Sequence, residues 1–425
     1  MAIEFYKEHG PLGFLATYSN YGFYVDGVYY PTVEHYYQSE KFDDNDIKMK
    51  IISCDTPKEA SNIGRDRNLK RRDGFNNIKL DVMYKGTLEK FLQNSTIRSK
   101  LIETRNNEIK EMTEKENYWG VGPLLDGENH YGKILMSVRD KVKEEVINNI
   151  INKCTGNKVY VIGHHNPDFD SVCSSYILSE VLKSLGIDAV FSVRDENLLD
   201  KDMISDYLPS NYLVVNDYSD KLFILVDHNN LDGILKGNVL GSFDHHIITN
   251  EVDNLIEMEY ASCGLLIYDL FKDKYKFTNK DKLLVGLSVL SDTEYFTSSR
   301  FSDEDKDIYN ELGLDLDAKK LQKKYFKTTD FTKKIIDNIK DNYKEYDYNG
   351  IHIKRSMIYS YMKDKDKFYS SYILEAEKNN IDLLIWCDYE SKTTYVFYKG
   401  NEFRFPYFTN STNLVIKYLE KEKYL

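Results

Sequence analysis

Cysteine is scarce in this 425-residue chain. There are five, Cys54, Cys154, Cys173, Cys263 and Cys387, widely scattered and without a Cys-x-x-Cys pair. An odd, unclustered set frames neither a disulfide scaffold nor a thiolate zinc site, and it reads as reduced, buried thiols of a cytoplasmic protein. No apolar run approaches the length of a membrane span, and the opening MAIEFYKEHG is not a signal peptide, so no membrane partner is expected. Positive charge is in deficit, 57 Lys and Arg against 69 Asp and Glu, a net charge of −12. That balance argues against a general nucleic-acid-binding surface while leaving room for local basic pockets. No low-complexity tract points to disorder. The length suggests two or three domains, and a hydrophobic fraction of 41% suffices for their cores.

The most informative stretch is KVYVIGHHNPDFDS, Lys158 to Ser171. A short β-branched run (Val159, Tyr160, Val161, Ile162) predicts a strand buried on both faces. Gly163 ends it, and His164, Asp168 and Asp170 follow ahead of a helix over Val172–Leu185. Side chains just past the carboxyl end of a strand line the ligand crevice of an open α/β sheet, where an imidazole and two carboxylates can hold divalent cations. A blander reading makes the same residues a polar turn whose aspartates cap the helix. Three later stretches favour the cation site: KLFILVDH ends a strand in Asp227, GSFDHH places Asp244, His245 and His246 after another, and LLVGLSVLSDT ends an apolar helix in Asp292.

HHNPDFDS, VDH, DHH and SDT, in this order, resemble the DHH phosphoesterase superfamily, and the NPDxDS form resembles its manganese-dependent family II inorganic pyrophosphatases and polyphosphatases. The resemblance runs from Lys158 towards the C-terminus. It implies two divalent metal ions, one held by His164, Asp168 and Asp227, the other by Asp170, Asp227, His245 and Asp292. Mixed imidazole and carboxylate ligands suit Mn²⁺, with Mg²⁺ or Co²⁺ as neighbours. His246 would touch substrate or relay protons, and Asp244 would orient the histidine pair. The last segment resembles the small domain that closes over such a site and supplies cations. The Ser-Arg-Lys-Lys-type run of the pyrophosphatases is missing, so the candidates are Lys354, Arg355, Lys399 and Arg404. TSSR (297–300) also departs from the pyrophosphatase pattern.

The first third has its own signals. Ile3–Tyr6, Phe14–Tyr18 and Phe23–Tyr30 read as strands and turns. PTVEHYYQSEKF reads as a helix with Glu34, Gln38 and Lys41 along one face, either solvated or facing a pocket. TPKEASNIGRDR reads as a capped helix running into a basic turn that could hold phosphate. Val82–Leu92 and Ile97–Thr104 read as core helices. ENYWGVGPLLDGENHYGKILMSVRD sets Trp119 beside a Gly-rich turn before a last helix, and the polar stretch Asn149–Asn157 reads as a linker. Three of these blocks, VDGVYYPTVEHYYQSEKF, TPKEASNIGRDR and NYWGVG with DGENHYGKILMSVRD, resemble the NADAR (YbiA-like) family. Thr17-Tyr18, Phe75 and Glu116 depart from its usual Asn-Phe, Trp and Asp. That resemblance implies an N-glycosidase acting on riboflavin-pathway intermediates or ADP-ribosylated guanine.

An N-ribosyl bond breaks through an oxocarbenium-like state, which a nearby carboxylate can stabilise while activating water. Glu34 is the candidate, with Lys41 tuning it or binding substrate, Gln38 beside it, Trp119 stacking on the base, and Arg65 with Asn129 holding phosphate and ribose. The expected whole is an α/β multidomain hydrolase. An N-terminal α+β domain (1–150) would cleave an N-ribosyl bond, and a parallel α/β sheet domain (158–310) with a small C-terminal α/β domain (311–425) would hydrolyse a nucleotide-like or pyrophosphate substrate. A homodimer is one possible assembly. The competing readings are a plain pyrophosphatase or polyphosphatase, and an N-terminal module that senses ADP-ribose-like ligands.

Overall fold

The computed structural model describes residues 2–425 apart from 232, 235, 247–253, 297–300, 326–328, 361 and 390. The TSSR stretch lies outside the described residues. The chain divides into two compact units, Met1–Asn149 and Ile150–Leu425.

In the first unit, Ile3–Phe5 pairs in parallel with Ile109–Glu111, and Phe23–Val25 forms a hairpin with Val28–Tyr30. Helices fill the rest. Thr32 caps Val33–Ser39 by accepting from the His35 N–H, and Thr56 caps Pro57–Gly64 through the Glu59 N–H. Glu34 and Gln38 are buried along with the apolar side of their helix, which decides against a solvated polar face.

One expectation is narrowed and one changes here. Among the segments read as strands and turns, Phe14–Tyr18 is a turn, opened by the 3₁₀ turn Gly13–Leu15. The reason lies on the core helix Phe75–Gln93, where the ammonium of Lys90 is fully buried and donates to Phe14 O at 2.6 Å, Ala16 O at 3.0 Å and Ser19 Oγ at 2.7 Å. Those carbonyls are turned inward and cannot join a ladder. The linker is also shorter than its polarity suggests. The helix His130–Cys154 runs through most of it because Ile147, Ile150 and Cys154 continue a buried helical stripe.

The second unit carries a six-stranded, all-parallel sheet in the order Leu255–Glu257, Val239–Asp244, Leu222–Val226, Lys158–Ile162, Asp188–Val193, Leu213–Val214. The order reverses between Lys158–Ile162 and Leu222–Val226, so the crevice at their carboxyl ends is the topological switch point. Helices Phe169–Ser184, Cys263–Phe271 and Asn279–Asp292 pack together beside it. A five-stranded mixed sheet follows, ordered Tyr343–Tyr348, Ile351–Ser360, Leu383–Asp388, Thr393–Tyr398, Asn401–Phe405. Its central strand alternates, with Leu383 and Ile385 in one core, and Leu384 and Trp386 in the other. Tyr343–Tyr348, Asn401–Phe405 and the helices Met362–Lys378 and Thr412–Lys421 went unrecognised in the sequence.

Burial pushes the Lys90 ammonium down to about 7 from 10.5. The Ser19 hydroxyl already donates to Ala16 O, so all three Lys90 bonds need a protonated nitrogen. Lys90→Met should therefore destabilise the fold by about 1–3 kcal/mol in denaturant titrations near neutral pH. Above about pH 7 the native lysine binds fewer protons than the unfolded one, so this group makes stability rise with pH towards 10.5. The variant should lose that rise.

Candidate active sites

In the first unit the chemistry gathers on Glu34. Gln38 Nε2 donates to its Oε1 at 2.7 Å, Thr17 Oγ1 lies 3.4 Å from its Oε2, and its backbone N–H donates to Thr17 O. Gln38 fits because residue 64 is glycine: a Cβ there would stand 2.0 Å from Gln38 Oε1. Lys41 lies beyond the helix end, buried over the Tyr37 ring with Nζ 3.5 Å from Gly64 O. Burial lowers it to about 8, Glu34 opposes the shift, and Arg71 and Arg65 reinforce it. Trp119 meets Tyr37 edge-on, and Phe75 meets the same ring, so the three form an aromatic wall. Glu116 fixes the loop by accepting from the N–H groups of Tyr118, Trp119 and Gly120. Arg65 is exposed and lines an open cleft with Arg67, Leu69 and Arg71.

Asn129 does a different job. Its amide donates to Ile109 O and accepts from the Glu111 N–H, which ties the Gly-rich turn to the strand. This brings in Glu111, which sequence reasoning missed. Burial first, then the Glu116 and Glu34 charges, push its carboxyl up to about 8. The sequence signal was weak, one acid among several in IKEMTEKE.

In the second unit, His164, Asp168, Asp170, Asp227, His245 and Asp292 converge at the switch point. Ligand atoms lie within 4.8 Å of one another in each of three groups: His164, Asp168 and Asp227; Asp170, His245 and Asp292; and Asp227, His245 and His246. Asp168 is also the N-cap of Phe169–Ser184, accepting from the Ser171 N–H, so capping and site-building coincide. Asp170 accepts from the Cys263 and Gly264 N–H groups at the start of another helix. Glycine at 163 leaves room for Ser171 Oγ, which accepts from the His164 N–H; a Cβ would fall 1.9 Å from that oxygen and displace it. Asp227 sits with φ at +62°, a left-handed conformation that costs a non-glycine residue about 1 kcal/mol.

Hydrogen bonding fixes the imidazoles. His245 Nδ1 faces Tyr260 O at 2.9 Å, which leaves Nε2 aimed at Asp227 Oδ1 at 2.9 Å and at Asp292 and Asp170 at 3.4 and 3.6 Å. Asp244 is fully buried and accepts from His245 N, His246 N and His246 Nδ1, while Asn229 donates to its other oxygen.

The electrostatics fit cations. Burial, then Asp227 and Asp168, raise the Asp170 carboxyl to about 8 against the pull of the Gly264 and Cys263 N–H groups. Burial and Lys344 push His164 down, but Asp168 and Asp227 outweigh them and hold it at about 10. Its buried Nε2 has no hydrogen-bond partner and lies 3.3 Å from Asp227 and 3.5 Å from Asp168. An orphaned imidazole nitrogen among crowded carboxylates fits a divalent cation of the harder, oxygen- and nitrogen-loving kind.

A cavity of about 730 Å³ opens from this cluster to the mixed sheet, lined by Asp168, Asp227, His246 and Asp292 on one side and Lys344, Tyr346 and Arg355 on the other. Of the expected cations, Arg355 lines it. Lys354, next along the strand, points to the other face, and Arg404 is on the far edge strand against Tyr395. Lys399 sits in the turn beside Tyr398. Lys344, which stands on the strand Tyr343–Tyr348, was not anticipated from the sequence.

The fold and these clusters define a hydrolase with two unlike units. Residues 4–143 match the NADAR domain, and residues 158–290 match the DHH family, N-terminal domain. An N-glycosidase of Nostoc punctiforme is 36% identical over 146 residues, 34% of this chain and 94% of the relative. N-glycosidase YbiA of Escherichia coli is 34% identical over 143 residues, 34% of this chain and 89% of that protein. The crystal structure of a putative family II inorganic pyrophosphatase of Methanococcus jannaschii aligns with a TM-score of 0.49 at 20% identity, covering 62% of this chain and 98% of that one. The chain belongs to the NADAR family, and its NADAR domain is fused to a DHH domain.

Cation binding at the switch point is measurable without turnover. Mn²⁺ at a hundredfold excess over its dissociation constant should stabilise the protein by about 2.7 kcal/mol. Asp227→Asn should erase most of that gain in thermal melts; an undiminished gain would place the cations elsewhere.

Proposed function

We propose that the chain is a bifunctional hydrolase whose units cleave different bonds of nucleotide-like metabolites. The first would hydrolyse an N-ribosyl bond of a riboflavin-intermediate or ADP-ribosyl type substrate. Glu34, aligned by Thr17 and Gln38, would face the anomeric carbon, and Trp119 with Tyr37 would flank the base. Glu111, protonated up to about pH 8, would serve as the acid for the departing nitrogen. Lys41, lowered to about 8, would bind the opened sugar or stabilise Glu34.

The second unit would hydrolyse a phosphoester or phosphoanhydride. Its metals would be held by His164, Asp168 and Asp227, and by Asp170, Asp227, His245 and Asp292, with Mn²⁺ the best match to the donors. Two such cations supply a deprotonated water and screen the phosphoryl oxygens. The observation that carries the reading is the cross-strand pair opposite the cluster. Lys344 and Arg355 are directly opposed in register, an arrangement that like charges normally avoid. Among the described residues neither forms an ion pair with a carboxylate. An anionic phosphoryl group between them and the metals resolves both facts.

Separate variants test the two units. Asp227→Asn should cut Mn²⁺-dependent phosphate release from nucleotides or pyrophosphate by a thousandfold or more, an order expected for losing metal catalysis, and should spare N-glycosidic cleavage. Glu34→Gln should do the reverse, and ligand binding without cleavage in the wild type would favour a sensing module. Glycosidic turnover should fall as pH rises through about 8, where Glu111 gives up its proton. Glu111→Gln should be slow and should lack that limb, as liquid chromatography of the released base would report.

A further inference from the structure

Tyr346 stands on the edge strand of the mixed sheet, two residues from Lys344 and therefore on the same face. It lines the cavity opposite Asp227, His246 and Asp292. Its hydroxyl accepts from Arg355 Nη2 at 2.9 Å, and the guanidinium also lies over the ring, 5.6 Å from its centroid. Thr412, at the start of the helix Thr412–Lys421, accepts from Arg355 Nε at 3.1 Å and so anchors the guanidinium beside the phenol oxygen. Three elements thus meet around this oxygen through Arg355, and the guanidinium reaches it as a donor. That arrangement stabilises a phenolate and leaves the phenolic proton directed away from its supports.

We propose that Tyr346 is the proton donor to the leaving oxygen of the phosphoester, held for that role by Arg355 and Thr412. The inference rests on the phosphoesterase reading of the second unit. As a water-derived oxygen adds to phosphorus, the bond to the leaving oxygen breaks, and that oxygen takes the proton from Tyr346 Oη. Arg355, itself anchored by Thr412, holds the resulting phenolate until the proton shed by the attacking water restores it. Burial opposes ionisation, but Arg355, Lys344, Thr412 and His246 together bring the phenol to about 7. These are the groups that face it from its own strand, the neighbouring strand, the C-terminal helix and the parallel-sheet domain. A donor so poised matters most when the leaving oxygen is basic, as in an alkyl ester, and least for a nitrophenolate.

Full-length wild type and Tyr346→Phe, both loaded with Mn²⁺, would be compared on a p-nitrophenyl phosphoester and on a nucleoside phosphoester with an alkyl leaving group. Tyr346→Phe should lose about 10²- to 10⁴-fold in kcat on the alkyl ester and little on the nitrophenyl ester. Equal losses on both, or none on either, would overturn the assignment. Near-ultraviolet absorbance supplies a readout apart from turnover: one tyrosinate should appear near neutral pH in the wild type and be missing in Tyr346→Phe. Identical titrations would also overturn it. Asp227→Asn should lose both esters and its Mn²⁺ while keeping the tyrosinate, which separates failure at Tyr346 from failure at the metal cluster. A wild type that turns over neither ester would end the phosphoesterase reading and this role together.

Discussion

Four carboxylates and two imidazoles crowded where the central strands of the parallel sheet end are a repulsive arrangement unless something positive joins them. The second unit is built to hold that arrangement in place. Asp168 and Asp170 are fixed by helix starts, Asp227 by a left-handed turn at a strand end, His245 by a backbone carbonyl and His246 by Asp244. Each support is a hydrogen bond or a backbone conformation that persists without cations. The cluster is therefore preorganised, and a cation that bound there would meet little cost in ordering entropy.

The first unit solves a related problem with one lysine. Lys90 reaches three acceptors on the segment that carries Thr17, and Thr17 contacts Glu34 through both its carbonyl and its hydroxyl. A buried ammonium thus sets the loop beside the candidate carboxylate without touching it. Both units place acids in poorly solvated surroundings, and both contain a carboxyl raised to about 8, Glu111 in one and Asp170 in the other. The physical cause is shared: burial beside other carboxylates favours the neutral form.

Much of this was legible in the sequence, for reasons that differ by residue. Strand runs ending in Asp227 and Asp244, and a helix ending in Asp292, announce themselves because apolar periodicity stops at a polar residue. Thr32 and Thr56 mark their helices by cap chemistry. Glu111, Lys90 and Lys344 gave no such sign, since each is an ordinary charged residue whose meaning comes mainly from partners remote in sequence or across a sheet. Phe14–Tyr18 has strand composition, yet the remote Lys90 captures its carbonyls. The strands Tyr343–Tyr348 and Asn401–Phe405 were missed because Lys, Asn and Tyr dilute the alternation that identifies a strand.

The left-handed turn at Asp227 has an evolutionary corollary. Glycine or asparagine would sit there with less strain, so the most comfortable residue for the backbone is one that lacks the carboxylate charge of the cluster. Selection for heat tolerance alone would drift towards such a replacement, giving a hardier protein with a silent crevice.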